Sequence, residues 1–143
     1  MRMEHKQIQI EIKKRYKQKY DVFVEAEDGK NYLPNRELHV YEPDIVVKRK
    51  NSDKILYIIE VENDPPRKNL VGASILADYS ISQLKEIQKP ILIFIVYANE
   101  GINQIHNFVE KLKIAKKYCK NLKEIKIFSI NEFWKNLENC MNP

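Results

Sequence analysis

The sequence predicts an α/β fold in which a mixed β-sheet is flanked by helices. Three observations lead there. Ile91–Tyr97 is an unbroken run of aliphatic and aromatic residues, long enough for one strand buried on both faces. Two strand-like runs, Leu38–Lys48 and Ile55–Glu62, are joined by the polar turn Asn51-Ser52-Asp53, the pattern of an antiparallel hairpin. Around them lie segments whose apolar residues recur at three- and four-residue steps, the mark of helices with one buried face.

The elements follow in order. From Met3 to Lys19, Ile8, Ile12 and Tyr16 stand four residues apart among lysines, which predicts an amphipathic helix with a basic outer face. Tyr20–Glu27 alternates as a strand, closed by the turn signal Asp28-Gly29, and Asn31–Arg36, with Pro34, reads as loop. After the hairpin, Asn63-Asp64-Pro65-Pro66 ends the second strand, because proline cannot continue a ladder. Arg67–Gln88 carries Leu70, Ala73, Leu76, Ala77, Ile81 and Leu84 at three- and four-residue steps, a helix with a core face, and stops at Lys89-Pro90. Glu100–Lys117 is a second amphipathic helix, Glu124–Ser129 a short strand, and Asn131–Leu137 a closing helix capped by Asn131. The predicted order is α-β-β-β-α-β-α-β-α, in a single domain over residues 1–143.

Composition excludes several function classes. The chain has three glycines, Gly29, Gly72 and Gly101, too far apart to write a P-loop or a dinucleotide fingerprint. Cys119 and Cys140 cannot make a disulfide framework or a four-thiolate zinc site, and they read as thiols of a reducing, cytoplasmic compartment. His5, His39 and His106 are scattered, which excludes a zinc hydrolase of the HExxH kind. The longest apolar run, Ile91–Ala98, falls far short of the ~20 residues that span a bilayer, so no membrane partner is expected, and no secretion signal is visible.

Strand alternation places Asp44, Val46 and Lys48 on one face, and Leu56, Ile58, Glu60 and Glu62 on one face of the next strand. Pairing around the turn at residues 51–53 lays Asp44 beside Glu60, so three carboxylates converge. Adjacent carboxylates in a half-apolar setting repel unless a proton or a cation intervenes, and a hard divalent cation with oxygen ligands is the usual remedy. The simpler reading is a solvated strand end facing a lysine, but Leu56 and Ile58 on the same face argue for burial.

Pro43-Asp44, fifteen intervening residues, then Glu60-Val61-Glu62 resembles the signature of the PD-(D/E)XK nuclease superfamily. The order of elements over roughly residues 4–97 is similar too, and the compact basic layout is similar to archaeal Holliday-junction resolvases and small archaeal-virus nucleases. The resemblance implies a restriction-endonuclease-like core and a Mg2+- or Mn2+-dependent DNA endonuclease acting as a homodimer on duplex or branched DNA. It places such an enzyme in the cytoplasm, or in that of a host if a virus encodes it. Asp44 and Glu60 become the metal ligands. Where the family pattern carries lysine, this chain has Glu62, the Glu-X-Glu form of a minority of restriction endonucleases. The general base is then Glu62, followed in rank by Lys68 and Lys48, and Glu11 ahead of Glu4 is the candidate glutamate from the first helix.

The cations cluster. Over residues 1–20, seven Lys and Arg oppose Glu4 and Glu11, and over 108–126 seven lysines oppose Glu110 and Glu124, within a formal net charge of +5. Lys13, Lys14, Lys17, Lys48, Arg67, Lys113, Lys116 and Lys117 are the candidate phosphate contacts, which hold DNA without reading its sequence. A lysine-rich surface of the kind AT-rich genomes encode is the plain alternative. Two other functions compete with the nuclease: a DNA-binding module that kept the fold and lost the chemistry, with Glu62 as the scar, and a protein-interaction scaffold whose carboxylates are only surface.

Overall fold

A computed structural model of the chain describes residues 2–63, 69–97 and 101–135, with side chains at 5–62, 69–97 and 105–135. Helix α1 (Arg2–Tyr16) leads to strand β1 (Tyr20–Val24) and a single helical turn, α2 (Glu25–Asp28). A short ribbon follows, β2 (Leu33–Pro34) against β3 (His39–Tyr41), and then the hairpin of β4 (Ile45–Arg49) and β5 (Ile55–Asn63). From there helices and strands alternate: α3 (Leu70–Ser82), β6 (Ile91–Tyr97), α4 (Gly101–Tyr118), β7 (Glu124–Ser129) and α5 (Ile130–Lys135).

The fold is α/β, with a five-stranded mixed sheet in the order β1-β4-β5-β6-β7 between helices. Tight turns force β4 to run antiparallel to β5, while the helical crossovers α3 and α4 bring β6 and β7 back parallel to it. Each face of the sheet has its own core. On the first, Ile8 and Ile12 of α1 and Phe133 of α5 pack on Ile45, Val47, Tyr57, Ile59 and Ile93. On the second, α3 and α4 pack Leu70, Ala77 and Leu112 on Val46, Ile58 and Phe94, joined by Leu33 and Tyr41 of the ribbon. Because both faces are covered, every residue of β6 is buried, which is why that segment shows no alternation.

The structure departs from the sequence-based expectation at identifiable points. The strand expected over 20–27 ends at Val24, where Glu25 donates its N–H to Asp44 O and α2 begins. The strand expected over 38–48 is broken at Glu42-Pro43-Asp44, since Pro43 has no N–H for a ladder. Residues 33–34, read as loop, pair with β3. Helix α3 starts at Leu70, capped by the Asn69 side chain, and ends at Ser82 rather than Gln88. The cap of α5 is Ser129, not Asn131: Ser129 Oγ accepts from Glu132 N–H and donates to Glu132 Oε1. A bulge opposite Lys48 also moves Leu56 off the face of Ile58, onto the core of the first face.

Cys119 lies in the core of the second face, its thiol pushed up to about 11 by burial and by the nearby Asp78 charge. Cys140 lies outside the described residues. Truncating a filled core position separates the buried sheet from the surface. Phe94→Ala should cost about 3–5 kcal/mol in urea unfolding, whereas Tyr118→Ala, at 76% exposure, should stay within about 0.5 kcal/mol.

Candidate functional site

The hairpin register settles which acidic residues meet. Ile45 pairs with Ile59, so the next position beyond β4 sets Asp44 against Glu60. Asp44 donates its backbone N–H to Glu60 Oε1 at 3.2 Å, and the Tyr41 hydroxyl donates to Glu60 Oε2 at 2.9 Å. Glu60 is fully buried, and Asp44 and Glu62 are each 8% exposed. Asp44 Oδ2 accepts the Val61 N–H at 2.8 Å, standing in for the strand that withdraws at Pro43. Asn31 holds that break together, its Nδ2 donating to the carbonyls of Phe23, Pro43 and Asp44.

The charges of all three carboxylates act on one phenol. The Tyr41 hydroxyl is held well above its ordinary pKa, first by burial, then by the Glu60 charge and its hydrogen bond to Glu60, then by Asp44 and Glu62. It therefore remains a proton donor at every working pH.

Helix α1 reaches the same place with residues the sequence reading passed over. His5 Nε2 lies 3.2 Å from Asp44 Oδ2, and Gln9 Nε2 lies 3.2 Å from His5 Nδ1. The Ala26 N–H, which can only donate, meets Gln9 Oε1 at 2.8 Å, so the Gln9 amide turns its N–H toward His5. In neutral His5, Nδ1 then accepts and Nε2–H donates to Asp44. The signal was present in sequence: His5, Ile8, Gln9, Ile12 and Tyr16 form one sheet-facing stripe, and a His and a Gln on an apolar stripe need partners.

The remaining candidates are placed as follows. Glu11 pairs with Arg15 at 2.9 Å on the outer side of α1. Lys48 shares the face of Val46 but extends over the Phe23 ring, 5.2 Å from its centroid, about 13 Å along the strand from Asp44. Lys13 is paired with Asp28 at 2.8 Å and Lys113 with Glu110 at 3.2 Å, while Lys14, Lys17 and Lys117 are exposed and Lys116 is half-buried. The two basic segments lie on opposite faces of the sheet, α1 over one core and α4 over the other. Arg67, Lys68 and the Glu4 side chain lie outside the described residues.

Among the described residues, no group of three or more His, Cys, Asp or Glu side chains is arranged to hold a metal ion. The donor set still fits a magnesium-sized cation in a more modest way. Such ions are commonly held by one or two carboxylates, with water and substrate phosphate completing the shell. Asp44 Oδ1 receives no hydrogen bond among the described residues, so this buried pair keeps one hard oxygen uncommitted. Among the same residues, no helix is long and apolar enough to cross a membrane. Compared with known proteins, the chain matches no family model, no curated protein and no solved structure.

The His5 pKa is raised from 6.5 chiefly by its hydrogen bond to Asp44, with burial pulling the other way and the Asp44 and Glu62 charges adding to the rise. A raised folded-state value means that this stabilisation is complete below pH 6.5 and is lost as pH climbs through the folded midpoint. In metal-free protein, the NMR midpoint of His5 should lie above 6.5, and Asp44→Asn should bring it down, because burial then acts with less opposition.

Proposed function

We propose that this chain is a metal-dependent DNA endonuclease of the PD-(D/E)XK type, with a restriction-endonuclease-like core and working as a homodimer. The observation that carries the reading is the pairing of Asp44 with Glu60 at a proline break, with the nearly buried Glu62 two residues further along β5 and its charge acting on Tyr41 and His5. This is the arrangement that the Pro-Asp and Glu-X-Glu spacing demands, and it stands at the carboxyl ends of β5 and β6, where open α/β sheets gather their sites.

Asp44 and Glu60 would hold Mg2+ or Mn2+. A bound cation of this kind stabilises the charge that builds on phosphorus and its leaving oxygen, and lowers the pKa of a bound water. The chain supplies the rest. Tyr41 fixes Glu60 from one side, and the Asp44 N–H fixes it from the other. His5 and the Val61 N–H fix the Asp44 carboxylate through Oδ2, which leaves Oδ1 without a protein donor among the described residues. Glu62, in the place of the family lysine, is the residue to accept a proton from the attacking water. Lys48 is too distant for that role. DNA binding would draw on α1 through Lys14 and Lys17, and any contribution of Lys117 comes from the opposite face of the sheet.

A second reading has its own support. Glu60 receives hydrogen bonds from the Tyr41 hydroxyl and the Asp44 N–H, and Asp44 Oδ2 meets Val61 N–H and His5, as expected of carboxylates kept only to close a broken ladder. That describes a DNA-binding module with a nuclease fold and no chemistry.

Plasmid nicking and four-way-junction cleavage in Mg2+ or Mn2+ separate the two. Activity should fall by roughly a hundredfold or more in Asp44→Asn and Glu60→Gln, both near-isosteric. Protein that binds Mn2+ and DNA yet leaves every substrate intact would establish the inactive module.

A further inference from the structure

At the opposite end of the sheet, the β4–β5 turn, the α3–β6 connection and the start of β7 enclose a cleft of about 330 Å3. Its walls carry four cations, Arg49, Lys54, Lys89 and Lys123, and no carboxylate. Lys13, Lys30, Lys50, Lys113 and Lys126 have acidic partners; these four, like Lys14 and Lys17 on α1, form no ion pair among the described residues, but here they surround one concavity. Four unneutralised cations around one concavity form an electrostatic trap for a multiply charged anion.

The cleft is held in shape by hydrogen bonds between the segments that bear those cations. Arg49 N–H donates to Lys54 O at 2.9 Å, and Lys123 N–H donates to Pro90 O at 2.9 Å. Ile55 N–H donates to Gln88 Oε1 at 2.7 Å. A backbone N–H can only donate, so the Gln88 oxygen is committed to Ile55 and its amide N–H2 is left over. Gln88 lines the cleft, is 9% exposed, and its Nε2 has no partner among the described residues. This amide donor is not sealed from water, so it is available at the cleft surface to an acceptor brought by a ligand. Beside it, Leu56 contributes an apolar wall, and Ile87, at 96% exposure, offers an apolar edge.

We infer that this cleft binds a nucleoside 5′-monophosphate, either free or at the phosphorylated end of a nucleic-acid strand. The dianionic phosphate answers the four cations, a base or sugar acceptor answers the Gln88 amide, and the planar body lies on Leu56 and Ile87. The volume falls in the range of small-molecule sites. The cleft is about 20 Å along β5 from Glu62, so the inference stands independently of the nuclease reading.

The test is a 15N-resolved NMR titration of the full chain with thymidine 5′-monophosphate, thymidine and inorganic phosphate. Two 5′-phosphorylated and 5′-hydroxyl oligonucleotides of one sequence complete the set. Thymidine 5′-monophosphate should shift the amides of Lys54, Ile55, Gln88 and Lys89, and bind at least tenfold more tightly than thymidine or phosphate alone. Gln88→Glu keeps the acceptor for Ile55 and replaces the free N–H2 with a repelling oxygen. It should abolish binding while leaving the melting temperature and the rest of the spectrum in place, and Lys89→Glu should weaken binding tenfold or more. Saturation by the 5′-phosphorylated strand but not the free nucleotide assigns the site to strand ends. Equal binding of thymidine or of bare phosphate, or undiminished binding in Gln88→Glu, overturns the proposal.

Discussion

Glu60 sits on the central strand, toward its carboxyl end, with no exposure to water, on the face where Ile58 and Phe94 pack. A carboxylate there is tolerable only if its oxygens are supplied with donors, because an unpaired buried charge costs several kcal/mol. Much of the irregular half of the molecule is arranged around that demand. The ribbon β2–β3 lies over the second face and delivers the Tyr41 phenol, and the break at Pro43 frees the Asp44 N–H to point at Glu60 rather than along a ladder. Burial keeps the phenol protonated, so the donor does not fail as pH rises.

Breaking the strand at Pro43 creates a second set of needs, and polar side chains meet them. Asn31 supplies N–H to the carbonyls at the break, and Asp44 supplies an oxygen to the stranded Val61 N–H. Helix α1 is pinned to the same place through Ala26, Gln9 and His5, whose hydrogen bonds run in one direction toward Asp44. The short turn α2 also locks itself: Asp28 accepts the Val24 N–H while pairing with Lys13 of α1. An ordered polar chain thus runs from the start of α2 to the Asp44 carboxylate, although neither His5 nor Gln9 belongs to the acidic motif.

Alternation and a polar turn made the central part legible. They located the β4–β5 hairpin, its antiparallel sense, and Asp44 beside Glu60, because a buried face admits only one parity of register. Less legible was anything set by a single residue. Pro43 lies within the Pro-Asp motif itself, yet the residues around it read as one strand, which puts Tyr41 in the sheet rather than in the separate ribbon it occupies. The extra residue at the Leu56 bulge leaves no trace in composition. Lys48 had the correct parity, but parity does not report distance along a strand. The Ser129 cap is written in the sequence as Ser-x-x-Glu, but Asn131 beside it is one of the strongest capping residue types and draws the expectation to itself.

The accessible oxygen of the notch follows from how the ladder is repaired. Had β4 continued past Ile45, Val61 would have met a backbone carbonyl, and β5 would have been closed along that edge. A backbone carbonyl offers one oxygen, which the ladder holds in place. An aspartate offers two, and one suffices for Val61 and His5 together, both of which meet Oδ2. Replacing a strand by a carboxylate therefore leaves one oxygen over. It lies at a residue still 8% exposed, next to a fully buried glutamate whose own oxygens have donors. Any reading of this site, catalytic or structural, has to account for that surplus oxygen, since closing the ladder needs only one.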